Sequence, residues 1–241
     1  MKAHTSITQA NVSPQKALEL LQEGNERFIS NLKVNRNLLQ QANETREGQW
    51  PFAVILSCID SRTSAELIFD QGLGDIFSVR IAGNIVNTDI IGSLEFACKV
   101  AGSKLIVVLG HTNCGAVKAA CDHVEIGSIT ELLSKIQPAI YQETETLNHA
   151  QRNSSNKDFV QNVTRNNIHV SVKAIINRSI ILDQMIRSGE IAIIGAIHDL
   201  STGRVQFYED TLVDQKKLLS QSASSNSTPH SKETVTADAH S

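Results

Sequence analysis

The 241-residue sequence predicts an α/β fold: a mostly parallel central β-sheet flanked by helices, with an antiparallel edge strand near the C-terminus and an N-terminal helical arm. Three observations lead there. Short apolar runs recur at 52–56, 105–109 and 191–197, as expected of strands buried on both faces, and 76–81 is a further strand candidate. Stretches with helical spacing of apolar residues separate most of them, and strands alternating with helices build βαβ units and so parallel pairs. The last run, 204–208, follows its predecessor after a short turn containing Gly203, which leaves no room for a crossover and pairs it antiparallel.

The elements follow in chain order. Ser13 caps a helix whose first position is Pro14, where no amide hydrogen is missed, and Ala17, Leu18, Leu21, Phe28 and Ile29 mark its apolar face. This helix precedes the first strand and is expected to wrap a partner chain, as part of an arm over about 13–48. FAVIL at 52–56 is the first strand and IFSVRI at 76–81 the second. Residues 88–100, with Ile91, Leu94, Phe96 and Ala97 on one side, read as a helix. LIVVL at 105–109 is the third strand, and a helix starts at Gly115. Residues 127–158 read as helix and loop, 163–187 as one long helix stopped by Gly189, and 191–197 as the fourth strand. Beyond Leu219 the composition turns to Ser, Thr, Asn and His with one Val, which predicts a disordered tail over 219–241 behind a single catalytic domain over 1–218.

Composition narrows the function. A net charge of −3 gives no general attraction to phosphate backbones or anionic lipid, so neither nucleic acid nor a membrane is an expected partner. No apolar run is long enough to span a bilayer, and the polar first 13 residues carry no apolar signal core, which predicts a cytoplasmic protein. Four cysteines are no disulfide framework. In a reducing compartment, clustered thiols are metal ligands or catalytic groups.

Two motifs directly follow two of the strands: CIDSR at 58–62 and HTNCG at 111–115. Ligands of open parallel sheets bind beyond the carboxyl ends of the strands, so both motifs meet at one crevice. Cys58, His111 and Cys114 then form an N/S donor set of the kind zinc prefers, three protein ligands with a fourth position free. Taken singly, each motif has a plainer reading, since a cysteine after a strand is often a small buried apolar residue and Asp60 with Arg62 an ordinary surface ion pair. Redox use is the weaker rival because no C-x-x-C is present.

CIDSR at 58–62, GLGDIFSVRIAGN at 72–84, GSLEFA at 92–97, VVLGHTNCGAV at 107–117 and GAIHDLSTGRV at 195–205 together resemble the β-class carbonic anhydrases over roughly residues 14–210. The resemblance implies a zinc enzyme, one ion per chain, interconverting carbon dioxide and bicarbonate, and a homodimer or dimer of dimers built around the active sites. It places the zinc ligands on Cys58, His111 and Cys114 and the family's Asp-Arg dyad on Asp60 and Arg62. It also places substrate contacts on Gln49, nine residues before Cys58, on the aromatics Phe77 and Phe96, and on Gly115. Some members alternate between a state with the dyad paired and one with the aspartate on zinc, which makes Asp60 a conditional fourth ligand. Two departures matter. Ile55 stands where the subgroup with an allosteric bicarbonate site has tryptophan, and that subgroup lacks the glutamine seen here as Gln49, so the non-allosteric, plant-like type I subgroup is favoured. His198 stands where many members have tyrosine, with no catalytic meaning evident.

Zinc lowers the pKa of the water it binds from 15.7 toward about 7, which supplies a nucleophile at neutral pH. Two thiolates weaken that Lewis acidity, so a compensating group is expected. Asp60, held by the planar fork of Arg62, can take the nucleophile's remaining hydrogen and aim its lone pair at carbon dioxide. Two alternatives remain: a related zinc hydrolase acting on carbon disulfide or carbonyl sulfide, and a noncatalytic zinc protein in which Asp60 permanently fills the fourth position.

Overall fold

A computed structural model describes residues 3–225. The order is α1 (Ser6–Ala10), α2 (Pro14–Ile29), α3 (Leu38–Glu44), β1 (Ala53–Ser57), α4 (Ala65–Ile68), β2 (Ile76–Arg80), α5 (Thr88–Glu95), β3 (Leu105–His111), α6 (Gly115–Cys121), α7 (Gly127–Ser134), α8 (Gln137–Tyr141), α9 (Lys157–Arg178), α10 (Ile180–Arg187), β4 (Ala192–His198), β5 (Val205–Val213) and α11 (Gln215–Ser225). The strands form one sheet in the order β2-β1-β3-β4-β5, with β1–β2, β1–β3 and β3–β4 parallel and β4–β5 antiparallel. This is the expected architecture.

The three inner strands, β1, β3 and β4, are buried along their whole length, which is why they read as unbroken apolar runs, whereas the edge strand β2 alternates. One sheet face packs Val54, Leu56, Ile106, Val108 and Ile193 against Leu94 of α5, Ile168 and Val172 of α9, and Leu182 of α10. The other packs Ile55, Leu105, Val107, Leu109 and Ile194 against Leu18 and Leu21 of α2 and Ile68 of α4. Two glycines let α9 approach the sheet. A Cβ on Gly110 would lie 2.7 Å from Ile168 Cδ1, and one on Gly195 would lie 2.5 Å from Ile168 Cγ2.

Several expectations change. The helix read as continuous over 163–187 starts earlier, at Lys157, and breaks at Ser179, whose extended backbone (φ −121°, ψ 104°) ends α9 while its hydroxyl accepts from the Leu182 amide to cap α10. Both halves carry apolar residues in helical spacing, so periodicity does not reveal the break. The helix at 88–100 ends in a π-helical turn, Phe96–Val100. The apolar face of α2 packs on its own sheet, and so does not supply a free surface for a partner. Helix α11 runs to Ser225, past the boundary at 218 where the sequence places a disordered tail, because Leu218 still packs on the core. The rest of that tail, 226–241, lies outside the described residues. Among the described residues no helix is long and apolar enough to cross a membrane.

The arm is fastened by buried polar groups. Asn25 of α2 donates to the carbonyls of Ile68 (3.1 Å) and Gly203 (3.0 Å) and accepts from the Val205 amide (2.8 Å). Asp70, just past α4, takes Arg27 Nε at 2.6 Å, Arg36 Nη1 at 2.5 Å and the Val34 amide at 3.2 Å. Burial alone would push the Asp70 carboxyl up, but the two guanidiniums and the amide outweigh it and hold it below its ordinary 3.8. A carboxylate depressed in the folded state contributes stability that is full above the unfolded value and is lost as pH falls through the folded one. Stability is therefore expected to fall with acid from about pH 4 downward. Asp70→Asn should cost about 1.5–3 kcal/mol at neutral pH, because it removes the charge-assisted bonds that the carboxylate accepts from Arg27 and Arg36, and should flatten the acid limb of a urea-midpoint profile. An unchanged midpoint and profile would refute this role.

Candidate metal centre

β1 and β3 end side by side, with Ser57 in register with Leu109, and this adjacency brings the two motifs together. The donor atoms of Cys58, His111 and Cys114 all lie within 4.8 Å of one another, and all three residues are buried. Cys58 and Cys114 sit in a third apolar cluster, with Ile85, Val117, Ile136 and Phe159. Zn–S bonds of about 2.3 Å at a tetrahedral angle separate two sulfurs by roughly 3.8 Å. Here Cys58 Sγ and Cys114 Sγ are 3.9 Å apart.

His111 is preset as a ligand. Its Nδ1 lies 2.9 Å from the Thr112 carbonyl, which can only accept, so Nδ1 carries the hydrogen and Nε2 presents a lone pair. That Nε2 is buried with no hydrogen-bond partner among the described residues. An orphaned acceptor beside two thiols, in a site otherwise apolar, fits a metal ion.

The thiols differ from the chain's other cysteines. Cys58 is pulled down to about 4, first by the hydrogen bond from Cys114 and against its burial, with His111 and the Gly83 amide at 3.3 Å helping. Cys114 is pushed up by the same shared hydrogen bond and by its burial. Cys98 and Cys121 are buried and pushed up to about 12, chiefly by burial, as befits inert core thiols.

Asp60 stands beside the donors, its Oδ2 3.9 Å from His111 Nε2. Arg62 grips it in a fork, Nε to Oδ1 at 3.0 Å and Nη2 to Oδ2 at 2.7 Å, and the Arg62 amide adds a bond to Oδ1 at 2.9 Å. These bonds, led by the guanidinium, hold the Asp60 carboxyl well below the usual carboxylate range. Arg80, from the end of β2, fixes the loop by donating to the carbonyls of Cys58 (3.0 Å) and Asp60 (2.6 Å).

The remaining sequence candidates are placed differently. Gly115 opens α6 next to Cys114, and a Cβ there would meet no atom within 4 Å, so glycine leaves open space beside the ligand. Phe77 and Phe96 come together along the edge strand in a groove of about 510 Å³ that also takes in Thr88, Asp89 and Ser93, and none of the three donor residues lines it. Phe96 is 55% exposed. Gln49 is exposed, ahead of β1. Within one chain, then, the donors and the dyad form one site and the aromatic pair another.

Sequence reading assigned no role to Arg80 or Gly83, although both fall in one of the matched motifs. Gly83 had a signal: its left-handed φ of 67° is one that glycine accommodates freely, and it turns the amide toward Cys58. His198 pairs with His111 across β3–β4, and burial pushes its imidazole down to about 4. Neither ring nitrogen meets a hydrogen-bond partner among the described residues.

A family model described as carbonic anhydrase matches residues 53–205. Carbonic anhydrase 2 of Mycobacterium tuberculosis is 36% identical over 200 residues, covering 80% of this chain and 92% of that one. The carbonic anhydrase of Mycolicibacterium smegmatis is 34% identical over 203 residues, covering 81% and 94%. A tetrameric β-carbonic anhydrase from Sordaria macrospora superposes with a TM-score of 0.61 at 25% identity, over 69% of this chain and 85% of that one. For the fold alone, the Coccomyxa β-carbonic anhydrase crystallised with acetazolamide gives a TM-score of 0.61 at 22% identity, over 91% and 97%.

Proposed function

The chain belongs to the carbonic anhydrase family, and from that premise we infer how its own residues divide the work. The protein is a zinc-dependent β-class enzyme that hydrates carbon dioxide reversibly to bicarbonate and a proton. The observation that carries this reading is the buried Cys58-His111-Cys114 donor triangle with a forked Asp60–Arg62 pair at its open side.

Zinc, held by those three side chains, supplies Lewis acidity that makes water a nucleophile at neutral pH. Cys58 and Cys114, as thiolates, would offset the charge of the ion they hold. The Thr112 carbonyl holds the His111 ring with Nε2 toward the two sulfurs, where it would bind the ion. Asp60 accepts a hydrogen bond from the nucleophile's remaining O–H, which stays on the oxygen, and so turns its lone pair toward the substrate carbon. As the new carbon–oxygen bond forms, one C=O π pair moves onto its oxygen to give bicarbonate, and the proton first lost by water leaves to solvent. Arg62 keeps Asp60 ionised and aimed, a task suited to its planar two-point grip.

The substrate pocket is completed, in this reading, across a subunit boundary. Phe77 and Phe96 line a groove that none of the donors lines, and Phe96 and Gln49 are exposed, as residues serving a neighbouring copy's site would be. The retained Gln49 and the Ile55 substitution support the non-allosteric, plant-like type I subgroup. Sedimentation of the zinc-loaded chain is expected to give a dimer or dimer of dimers, and Phe96→Ala to raise KM for carbon dioxide several-fold while zinc content stays unchanged. A stable, fully active monomer at micromolar concentration would refute the shared pocket.

A further inference from the structure

A cavity of about 660 Å³ opens at the end of the sheet opposite the metal centre. The Phe52 amide, just ahead of β1, donates at 2.9 Å to the Asp75 carbonyl, just ahead of β2, and both residues line the cavity. It therefore lies at the amino ends of two parallel strands, whereas Cys58 follows the carboxyl end of β1. Trp50 and Leu20 of α2 add apolar surface, and His4 and Thr8 bring the N-terminal segment to its edge, the His4 ring packing on Phe52 with centroids 5.3 Å apart.

Asp75 lacks a counterpart there. It is 3% exposed, and its Oδ2 accepts from the Gly72 amide at 2.7 Å, but Oδ1 is buried with no hydrogen-bond partner among the described residues. A buried carboxylate oxygen left unpaired is costly, and a cation that brings a donor removes the cost. The other charges lining the cavity do not supply one. Arg27 commits Nε to Asp70 at 2.6 Å and forms no ion pair with Asp75 among the described residues. Glu23 and Glu44, both exposed, add two more carboxylates; Glu23 meets Lys16 only at 3.7 Å, and Glu44 accepts from the Gln40 side-chain amide at 2.9 Å. Three carboxylates against one committed guanidinium, beside an indole and aliphatic surface, select a positively charged occupant with an apolar body.

We propose that this cavity is a zinc-independent binding site for a small organic cation, an ammonium group on an aromatic or aliphatic body, with the ammonium at Asp75 and the body along Trp50 and Leu20. The same three carboxylates disfavour an anion, and the apolar lining disfavours a bare metal ion. Thr8 belongs to α1 and Asp75 leads into β2, so an occupant ties the N-terminal helix to the start of the edge strand.

Trp50 is the chain's one tryptophan, so its fluorescence reports on this cavity directly. The zinc-loaded enzyme is titrated with benzylammonium at constant ionic strength, with benzyl alcohol, similar in shape but neutral, as control. Benzylammonium is expected to change the Trp50 emission saturably and to bind at least tenfold more tightly than benzyl alcohol. Asp75→Asn, which keeps an oxygen for the Gly72 amide, is expected to bind it at least tenfold more weakly with zinc content and hydration activity retained. Where Asp75→Asn does not fold, the Glu23→Gln/Glu44→Gln variant, changed only at exposed positions, is expected to weaken benzylammonium binding several-fold and to leave that of benzyl alcohol unchanged. No saturable change, equal affinity for the two probes, or undiminished binding in the folded variant would overturn the site. Because zinc content and hydration activity are read separately, loss of this proposal leaves the zinc reading untouched.

Discussion

Replacing Cys114 with serine is expected to release the zinc and to lower carbon dioxide hydration by at least about 10³-fold, toward the uncatalysed rate. The reason lies in charge and in geometry. A ligand must be deprotonated to bind the ion, and a serine hydroxyl gives up its proton to a metal far less readily than a thiol does. The two sulfurs, 3.9 Å apart, span one edge of the donor triangle, and no other side chain with a metal-binding atom joins the three-residue group among the described residues. Cys98→Ala is the matched control, because that thiol is buried in the π-helical turn, pushed up to about 12 and remote from the donors, so this variant keeps its metal. Metal analysis alongside stopped-flow hydration decides the matter. Stoichiometric zinc and full activity in Cys114→Ser would eliminate the assignment.

The sequence makes the sheet and the donor set legible for one physical reason. Strands buried on both faces must be apolar throughout, so β1 and β3 announce themselves, and chemistry-bearing residues directly after such strands fall at the sheet's carboxyl end. Register then brings Cys58 beside His111 and Cys114 without further information. What stays hidden depends on tertiary contacts. The break at Ser179 interrupts no apolar period, and α1 is a five-residue helix held by Gln9, whose amide reaches the carbonyls of Pro51 and Ala101, partners that no local pattern discloses. The bonds that tune the site, from Gly83 to the Cys58 thiol and from Arg80 to two loop carbonyls, likewise cross from one chain segment to another. What the apolar stripe of α2 packs against is not legible either, because amphipathicity states that a face is buried without stating against what.

The dyad yields a sharper separation of roles than the ligands do. Asp60→Ala is expected to keep its zinc and lose about 10²–10³ in kcat/KM, the scale of a positioned proton-handling group. Arg62→Ala is expected to lose activity by a different route. Removing the guanidinium frees a carboxylate whose Oδ2 lies only 3.9 Å from His111 Nε2, close enough for Asp60 to turn to the metal and fill the position that the substrate water needs. Free guanidinium at millimolar concentration should then restore part of the activity of Arg62→Ala by recapturing Asp60, and should do nothing for Asp60→Ala. Lysine cannot replace the fork, since the observed grip uses two nitrogens on two oxygens, so Arg62→Lys should recover only a fraction. Protonation of Asp60 is not expected to shape the acid limb of the wild-type pH–rate profile, because the Arg62 guanidinium holds its carboxyl well below the usual carboxylate range. A noncatalytic zinc protein, with the carboxylate fixed on the metal, would show no hydration activity to rescue, and full activity in Asp60→Ala would remove the residue from the mechanism.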